Sequence, residues 1–134
     1  MLLVEQKSMT INSCCDIYCP IFSLANWTPK LGNQSYVESE LAKAFQVWSD
    51  YSRLEFNQSD DYYGSDIVIA FGRYSHGDPY PFDGPGLTLA HAYYPYESGS
   101  FGGDVHFDED ENWDPETGDL DFFTIAVSSL LFCI

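Results

Sequence analysis

The sequence predicts a single α/β domain, and three observations predict it. Val37, Leu41, Ala44, Phe45 and Trp48 recur at the helical spacing i, i+4, i+7, i+8 and i+11. Ile67 to Phe71 is a near-continuous run of β-formers with Asp66 at its start, the pattern of an internal strand covered on both faces. The 134 residues, 45% of them hydrophobic, suffice for one buried core and are short for two.

Taken in order, residues 1 to about 20 show neither periodicity nor turn logic and are expected to be an unstructured or divergent lead-in, with the domain occupying 21–134. A short strand is expected over Phe22 to Ala25. Ser35 and Glu38 have the spacing of a capping box, which starts the amphipathic helix at about 36 and carries it to about 50. After the Asp66–Phe71 strand, Gly72, Gly77, Gly84 and Gly86 with Pro79, Pro81 and Pro85 predict a tightly folded loop without regular structure. Leu89 to Tyr94 alternates as a strand, with Leu89, His91 and Tyr93 on one face and Ala90, Ala92 and Tyr94 on the other. Gly102 and Gly103 precede a strand over Asp104 to Asp108, whose period of two turns Val105 and Phe107 inward and Asp104, His106 and Asp108 outward. Asp119 or Asp121 offers an N-cap to a second helix beginning near Phe122.

Charge narrows the function classes. Of the net charge of −16, residues 60 to 134 carry 15 acids against one base, Arg73, whereas residues 1 to 59 carry six acids and four bases. Such a surface excludes a nucleic-acid partner. Aromatic residues make up 17% of the chain, which argues for packed structure and against acidic disorder. Residues 1–15 hold Glu5, Lys7 and several polar residues and show no apolar run of a signal peptide. The one long apolar run, Phe122 to Ile134, has 13 residues; a bilayer span needs about 20, so no membrane role is expected. Cys14, Cys15 and Cys19 cluster and Cys133 stands next to last, which is neither a zinc-type pair nor a spaced disulfide framework.

The informative residues are the histidines. His76, His91 and His106, all the chain has, are fifteen residues apart, and the first opens His76-Gly77-Asp78. Three imidazoles and one carboxylate suit tetrahedral zinc and leave no position for water or substrate. Such a site holds a fold together. The acids from Asp108 to Asp119 fall on an EF-hand count, but Trp113 takes the position that needs Gly and Asp119 the one that needs a bidentate Glu.

The stretches His76-Gly77-Asp78-x-Tyr80-Pro81-Phe82-Asp83-Gly84-Pro85-Gly86-x-Thr88-Leu89-Ala90-His91-Ala92 and Gly103-Asp104-Val105-His106-Phe107-Asp108-Glu109-Asp110-Glu111-x-Trp113 closely resemble matrix metalloproteinase catalytic domains (matrixins, of the metzincin clan). The resemblance covers about residues 22 to 127, with the Asn26-Trp27-Thr28-Pro29 turn and the Ala44–Ser49 helix. It implies a metzincin-like N-terminal subdomain: a mixed, twisted sheet of about five strands backed by one long helix, with the second helix cut short. It also implies that His76, Asp78, His91 and His106 bind one structural zinc. Calcium is implied at Asp83, Asp108, Glu111 and the carbonyls of Gly84, Gly86 and Thr88, and again at Asp66, Asp104 and the carbonyls of Ser100 and Gly102. Oxygen donors on irregular backbone suit Ca²⁺. One zinc and two or three calciums would supply about six to eight positive charges against the acidic half, so folding is expected to depend on metal.

The departure from the family is as informative as the match. The family's next helix carries H-E-x-x-H-x-x-G-x-x-H, with two histidines on one helix face for the catalytic zinc and a Glu as general base. Here Ser128 and Ser129 stand at the His and Glu, and Phe132 at the second His. No catalytic residue is expected, the serines included, because no base lies near them in sequence. The chain is expected to be an incomplete catalytic domain, poorly soluble through uncovered apolar surface. The resemblance implies extracellular matrix proteins or peptides as partners and an extracellular location. The alternative is a non-catalytic substrate-binding or decoy module in which the strand 89–94, through Leu89, Ala90 and Ala92, pairs with an extended peptide.

Overall fold

The computed structural model describes residues 18–95 and 99–134. Five strands form one mixed sheet: β1 (Ile21–Leu24), β2 (Asn57–Gln58), β3 (Ile67–Gly72), β4 (Ala90–Ala92) and β5 (Val105–Asp108), in the spatial order β2-β1-β3-β5-β4. All neighbours run parallel except β4, which pairs antiparallel with β5 and forms one edge. Two helices, α1 (Gln34–Tyr51) and α2 (Phe122–Leu130), complete the α/β architecture expected of a metzincin-like N-terminal subdomain. Parallel neighbours require a crossover, and α1 supplies the one between β1 and β2.

The core forms where the apolar stripe of α1 meets the inward residues of the sheet. Val37, Leu41, Ala44 and Phe45 are buried against Ile67, Ile69 and Phe71 of β3, Val105 and Phe107 of β5, and Phe122, Ala126 and Leu130 of α2. Phe22 stacks on Phe45 at 4.2 Å between centroids, and Phe122 lies 5.1 Å from Phe107. Trp48 ties the helices together by donating its indole N–H to the carbonyl of Val127 at 2.9 Å. Trp113 is fully buried and donates to the carbonyl of Asp108 at 2.6 Å, which anchors the turn after β5 to the core.

Local details depart from the sequence expectations for identifiable reasons. The capping box is not used: Asn33 caps α1 by accepting from the Tyr36 N–H at 3.0 Å, and Glu38 accepts from Gln34 instead. Asparagine is as good a cap as serine, and it sits two residues earlier. Asp121 is the residue before α2, but its carboxylate accepts from the Thr124 hydroxyl and not from a backbone amide. β1 lies one residue ahead of the expected 22–25, and β4 is shorter than 89–94, although Asp108 N–H donates to Leu89 and Tyr93 N–H to Asp104 beyond its ends. Asp104, His106 and Asp108 face away from the helices as the alternation requires, yet all three are buried, because the loops between β3 and β5 cover that face. Most of the expected lead-in lies outside the described residues. Tyr18 already bridges Leu54 in parallel, so ordered pairing reaches further back than residue 21.

Asn26 continues the sheet with a side chain. Its amide accepts from Phe71 N–H at 2.6 Å and donates to Phe71 C=O at 2.8 Å, serving both polar groups that β3 would otherwise present unpaired beyond the end of β1. Replacing Asn26 by Ala leaves a part-buried donor and acceptor without this partner, and urea unfolding of the N26A chain is expected to show a loss of about 1–2 kcal/mol. A loss below about 0.5 kcal/mol would mean that water replaces the amide.

Candidate metal centre

Four side chains converge where the loop after β3 folds back over β4 and β5. His76 and Asp78 come from the loop, His91 from β4 and His106 from β5, where His91 and His106 are paired across the ladder. The loop can turn back immediately because residue 72 is glycine: a Cβ there would lie 2.6 Å from the Cβ of His76.

The geometry is that of a small tetrahedron. His76 Nε2, His91 Nε2 and His106 Nδ1 lie 3.2–3.3 Å apart. Asp78 Oδ2 lies 2.7 Å from the His91 nitrogen, 2.8 Å from that of His106 and 3.0 Å from that of His76. Four donors about 2.0–2.1 Å from one zinc ion would sit roughly 3.3–3.4 Å from one another, so the imidazole edges already have the required length and the carboxylate edges are slightly short. Second contacts fix the rings. His76 Nδ1 donates to the carbonyl of Tyr74 at 2.7 Å, which leaves Nε2 as the free lone pair facing the centre. Phe82, itself buried, stacks on both His76 and His91 with centroids 4.5 Å away and shields the rings from water.

The electrostatics match a site built for a cation. Burial would by itself raise the pKa of Asp78, but hydrogen bonds from the Tyr93 hydroxyl, the Tyr80 N–H and the rings of His106 and His91 overcome it and hold the carboxyl well below the usual range. Burial also lowers the pKa values of His91 and His106, with Asp78 opposing, which favours the neutral imidazole that metal ligation requires. Tyr93 is pushed upward by burial and by Asp78, which keeps its hydroxyl protonated.

The residues expected to hold calcium are gathered less tightly. Among the described residues, the four-residue set above is the one group of three or more His, Cys, Asp or Glu whose ligand atoms lie within 4.8 Å of one another. Asp83 is tied to Thr88 through its N–H and hydroxyl, each at 3.4 Å, and Glu111 Oε1 accepts from Gly86 N–H at 2.6 Å, which brings that loop against the turn after β5. Asp108 is completely buried; its Oδ1 accepts from Asp110 N–H at 2.8 Å and its Oδ2 has no partner. In the second set, Asp66 Oδ2 accepts from Ile21 N–H and Asp104 Oδ1 from Val68 N–H, at 2.9 and 3.1 Å. Ser100 and Gly102 lie in and beside a short 3-10 turn, Gly99–Phe101, leading to Gly103, where a Cβ would lie 2.5 Å from the carbonyl of Asp66.

Three contributors escape a reading of the sequence for ligands. Phe82 gives no signal beyond its place in the loop. Tyr93 shares a strand face with His91, but spacing does not say that its hydroxyl meets Asp78. Lys30 donates to the carbonyls of Glu109 and Glu111 at 2.8 and 3.0 Å, a contact across 79 and 81 residues that no local pattern carries. Of the cysteines, Cys133 is a core residue whose thiol burial pushes up to about 12, so it is no nucleophile.

Comparison with known proteins identifies the surroundings of this centre. The profile of the matrixin family matches residues 20–130. Interstitial collagenase A of Mus musculus is 41% identical over 109 residues, covering 81% of this chain and 23% of that protein. Stromelysin-1 of Mus musculus is 40% identical over 109 residues. The 72 kDa type IV collagenase of Gallus gallus is 47% identical over 92 residues, 69% of this chain and 13% of its own length. The chain thus spans less than a quarter of the length of the relatives it matches.

Proposed function

The chain belongs to the matrixin family of metallopeptidases, and from that premise we propose that it is a zinc- and calcium-binding domain of the metalloendopeptidase type whose own catalytic centre is missing. One observation carries the second half of the reading. Where the family's catalytic helix has His, Glu and His, α2 and the turn after it have Ser128, Ser129 and Phe132. Ser128 spends its hydroxyl on its own helix, donating to the carbonyls of Thr124 and Ile125 at 3.1 and 2.9 Å. Phe132 is exposed and packs edge-on against Tyr94 at 5.8 Å. The three histidines are gathered in the four-residue centre, so none is left to rebuild a second site.

The zinc reading rests on the fit of donor set and edge lengths, with His76, Asp78, His91 and His106 as ligands. Four protein donors close the coordination sphere, so this zinc clamps the loop and activates no water. The calcium reading rests on the unpartnered Asp108 oxygen and on Glu111 meeting Gly86. The names of the collagenase and stromelysin relatives support extracellular matrix proteins as the substrate class and the extracellular space as the place of action. No helix among the described residues is long and apolar enough to cross a membrane.

Elemental analysis of the purified chain together with cleavage of a fluorogenic matrix peptide tests the reading. One zinc, two or three calciums and no chelator-sensitive cleavage are expected. Two zincs with cleavage would show that a catalytic centre exists despite Ser128 and Ser129. The position of β4 at the sheet edge favours a second reading, in which Ala90 and Ala92 offer an extended peptide their backbone groups, the Leu89 carbonyl being taken by Asp108 N–H, and the chain binds matrix peptides without cutting them. Retention on immobilised gelatin without cleavage would select it.

A further inference from the structure

We propose that Tyr93 is a positioning residue of the metal centre, whose hydroxyl holds the Asp78 carboxylate so that a single oxygen faces the three imidazoles. The inference rests on the zinc reading above. Asp78 Oδ1 is turned away from the centre to accept from Tyr80 N–H at 3.0 Å. Oδ2 faces the His nitrogens and also accepts from the Tyr93 hydroxyl at 2.6 Å, its shortest contact. A carboxylate oxygen has two lone pairs, so one can point at a cation while the other takes the phenol. The side chain of Asp78 is fully buried, and the Tyr93 hydroxyl is the one side-chain hydroxyl bonded to it.

The donor is rigid. The Tyr93 ring lies edge-on to His91 and His106 at 5.5 and 5.8 Å and tilted against Phe101 at 5.7 Å. Its backbone is held on both sides, Tyr93 N–H donating to Asp104 and Gly103 N–H to Tyr93, each at 3.0 Å. Two consequences follow from a fixed phenol on a ligating oxygen. The carboxylate is ordered before metal arrives, which favours binding, and electron density is drawn from Oδ2, which alters the ligand field at the ion.

The test uses the full chain and its Y93F and Y94F variants. Zinc affinity is read by competition with a chromophoric chelator, and the ligand field by the visible spectrum of the cobalt(II)-loaded protein. Y93F keeps the ring and loses the hydroxyl; it is expected to weaken zinc binding about tenfold and to shift the cobalt bands. Y94F removes a hydroxyl from the next residue of the chain, which is exposed and packs on Phe132 away from the centre, and is expected to leave both unchanged. Wild-type affinity, or tighter binding, with an unshifted cobalt spectrum in Y93F would overturn the role of the hydroxyl. Equal changes in Y93F and Y94F would assign the effect to a general disturbance of this segment and overturn it as well. A wild-type chain that takes up no zinc would instead overturn the centre itself, a result distinguishable from the other two.

Discussion

Removing zinc is expected to release the loop from Arg73 to Thr88 and to lower the thermal midpoint of the chain by 10 °C or more. The loop contains no helix or strand. Among the described residues its backbone N–H groups make few bonds outside the ladder: Phe82 N–H to Tyr74, Tyr80 N–H to Asp78, Gly86 N–H to Glu111 and Thr88 N–H to Asp83. A clamp through His76 and Asp78 therefore supplies much of its order. With free zinc about a thousandfold above the dissociation constant, binding to the folded form alone stabilises by about 4 kcal/mol, or roughly 10–20 °C for a domain of this size. Melting curves with and without a zinc-selective chelator measure the shift, and hydrogen exchange locates it. Unchanged melting, or exchange that rises uniformly, would rule out a zinc clamp in this loop. Acid should act in the same direction on the metal-free chain. His91 and His106 have folded pKa values lowered by burial, so the unfolded chain takes up their protons first. Their contribution is complete above about pH 6.5, the unfolded value, and declines as the pH falls through the lower folded values. Asp78, also depressed, adds a further loss in the acid range below its unfolded value of about 4.

The elements that the sequence made legible are those whose pattern is set by burial on one face. The α1 stripe is the clearest: Val37, Leu41, Ala44 and Phe45 are all in the core, as their spacing requires. The three histidines with Asp78 are legible for a different reason, since few chemistries use that donor set. What escaped depends on partners distant in sequence. β2 consists of Asn57 and Gln58, both exposed, and pairs because β1 offers an open backbone edge, a fact with no side-chain signature. The alternation of β5 gave the correct face for Asp108 but not its burial, because the loops that cover that face belong to other parts of the chain. Calcium ligation is faint for the same reason. Half of the expected donors are carbonyls, which every residue carries, so only the family resemblance proposes them.

Asp108 is where the calcium reading meets its sharpest test, because the expected effect changes sign with the ion. Its side chain is completely buried, and one carboxylate oxygen has no partner among the groups around it. The nearby cations make no hydrogen bond to it: Arg73 feels its charge but pairs with Glu109 and Asp110 at 3.2 and 3.4 Å, and Lys30 donates to the carbonyls of Glu109 and Glu111. An unpaired buried charge costs several kcal/mol unless a counter-ion reaches it. Asp108→Asn removes the charge with almost no change of shape, and its carbonyl can still accept from Asp110 N–H. Without calcium, D108N is therefore expected to be as stable as the wild type or more so. With calcium about a hundredfold above its dissociation constant, the wild type should gain about 2.7 kcal/mol, and D108N should lose most of that gain. The two stability curves should thus cross as calcium is titrated in. Parallel curves, with calcium stabilising both chains equally, would place the ion elsewhere. A variant less stable than the wild type in chelator would mean that the carboxylate is satisfied without metal, and the unpartnered oxygen would then need another explanation.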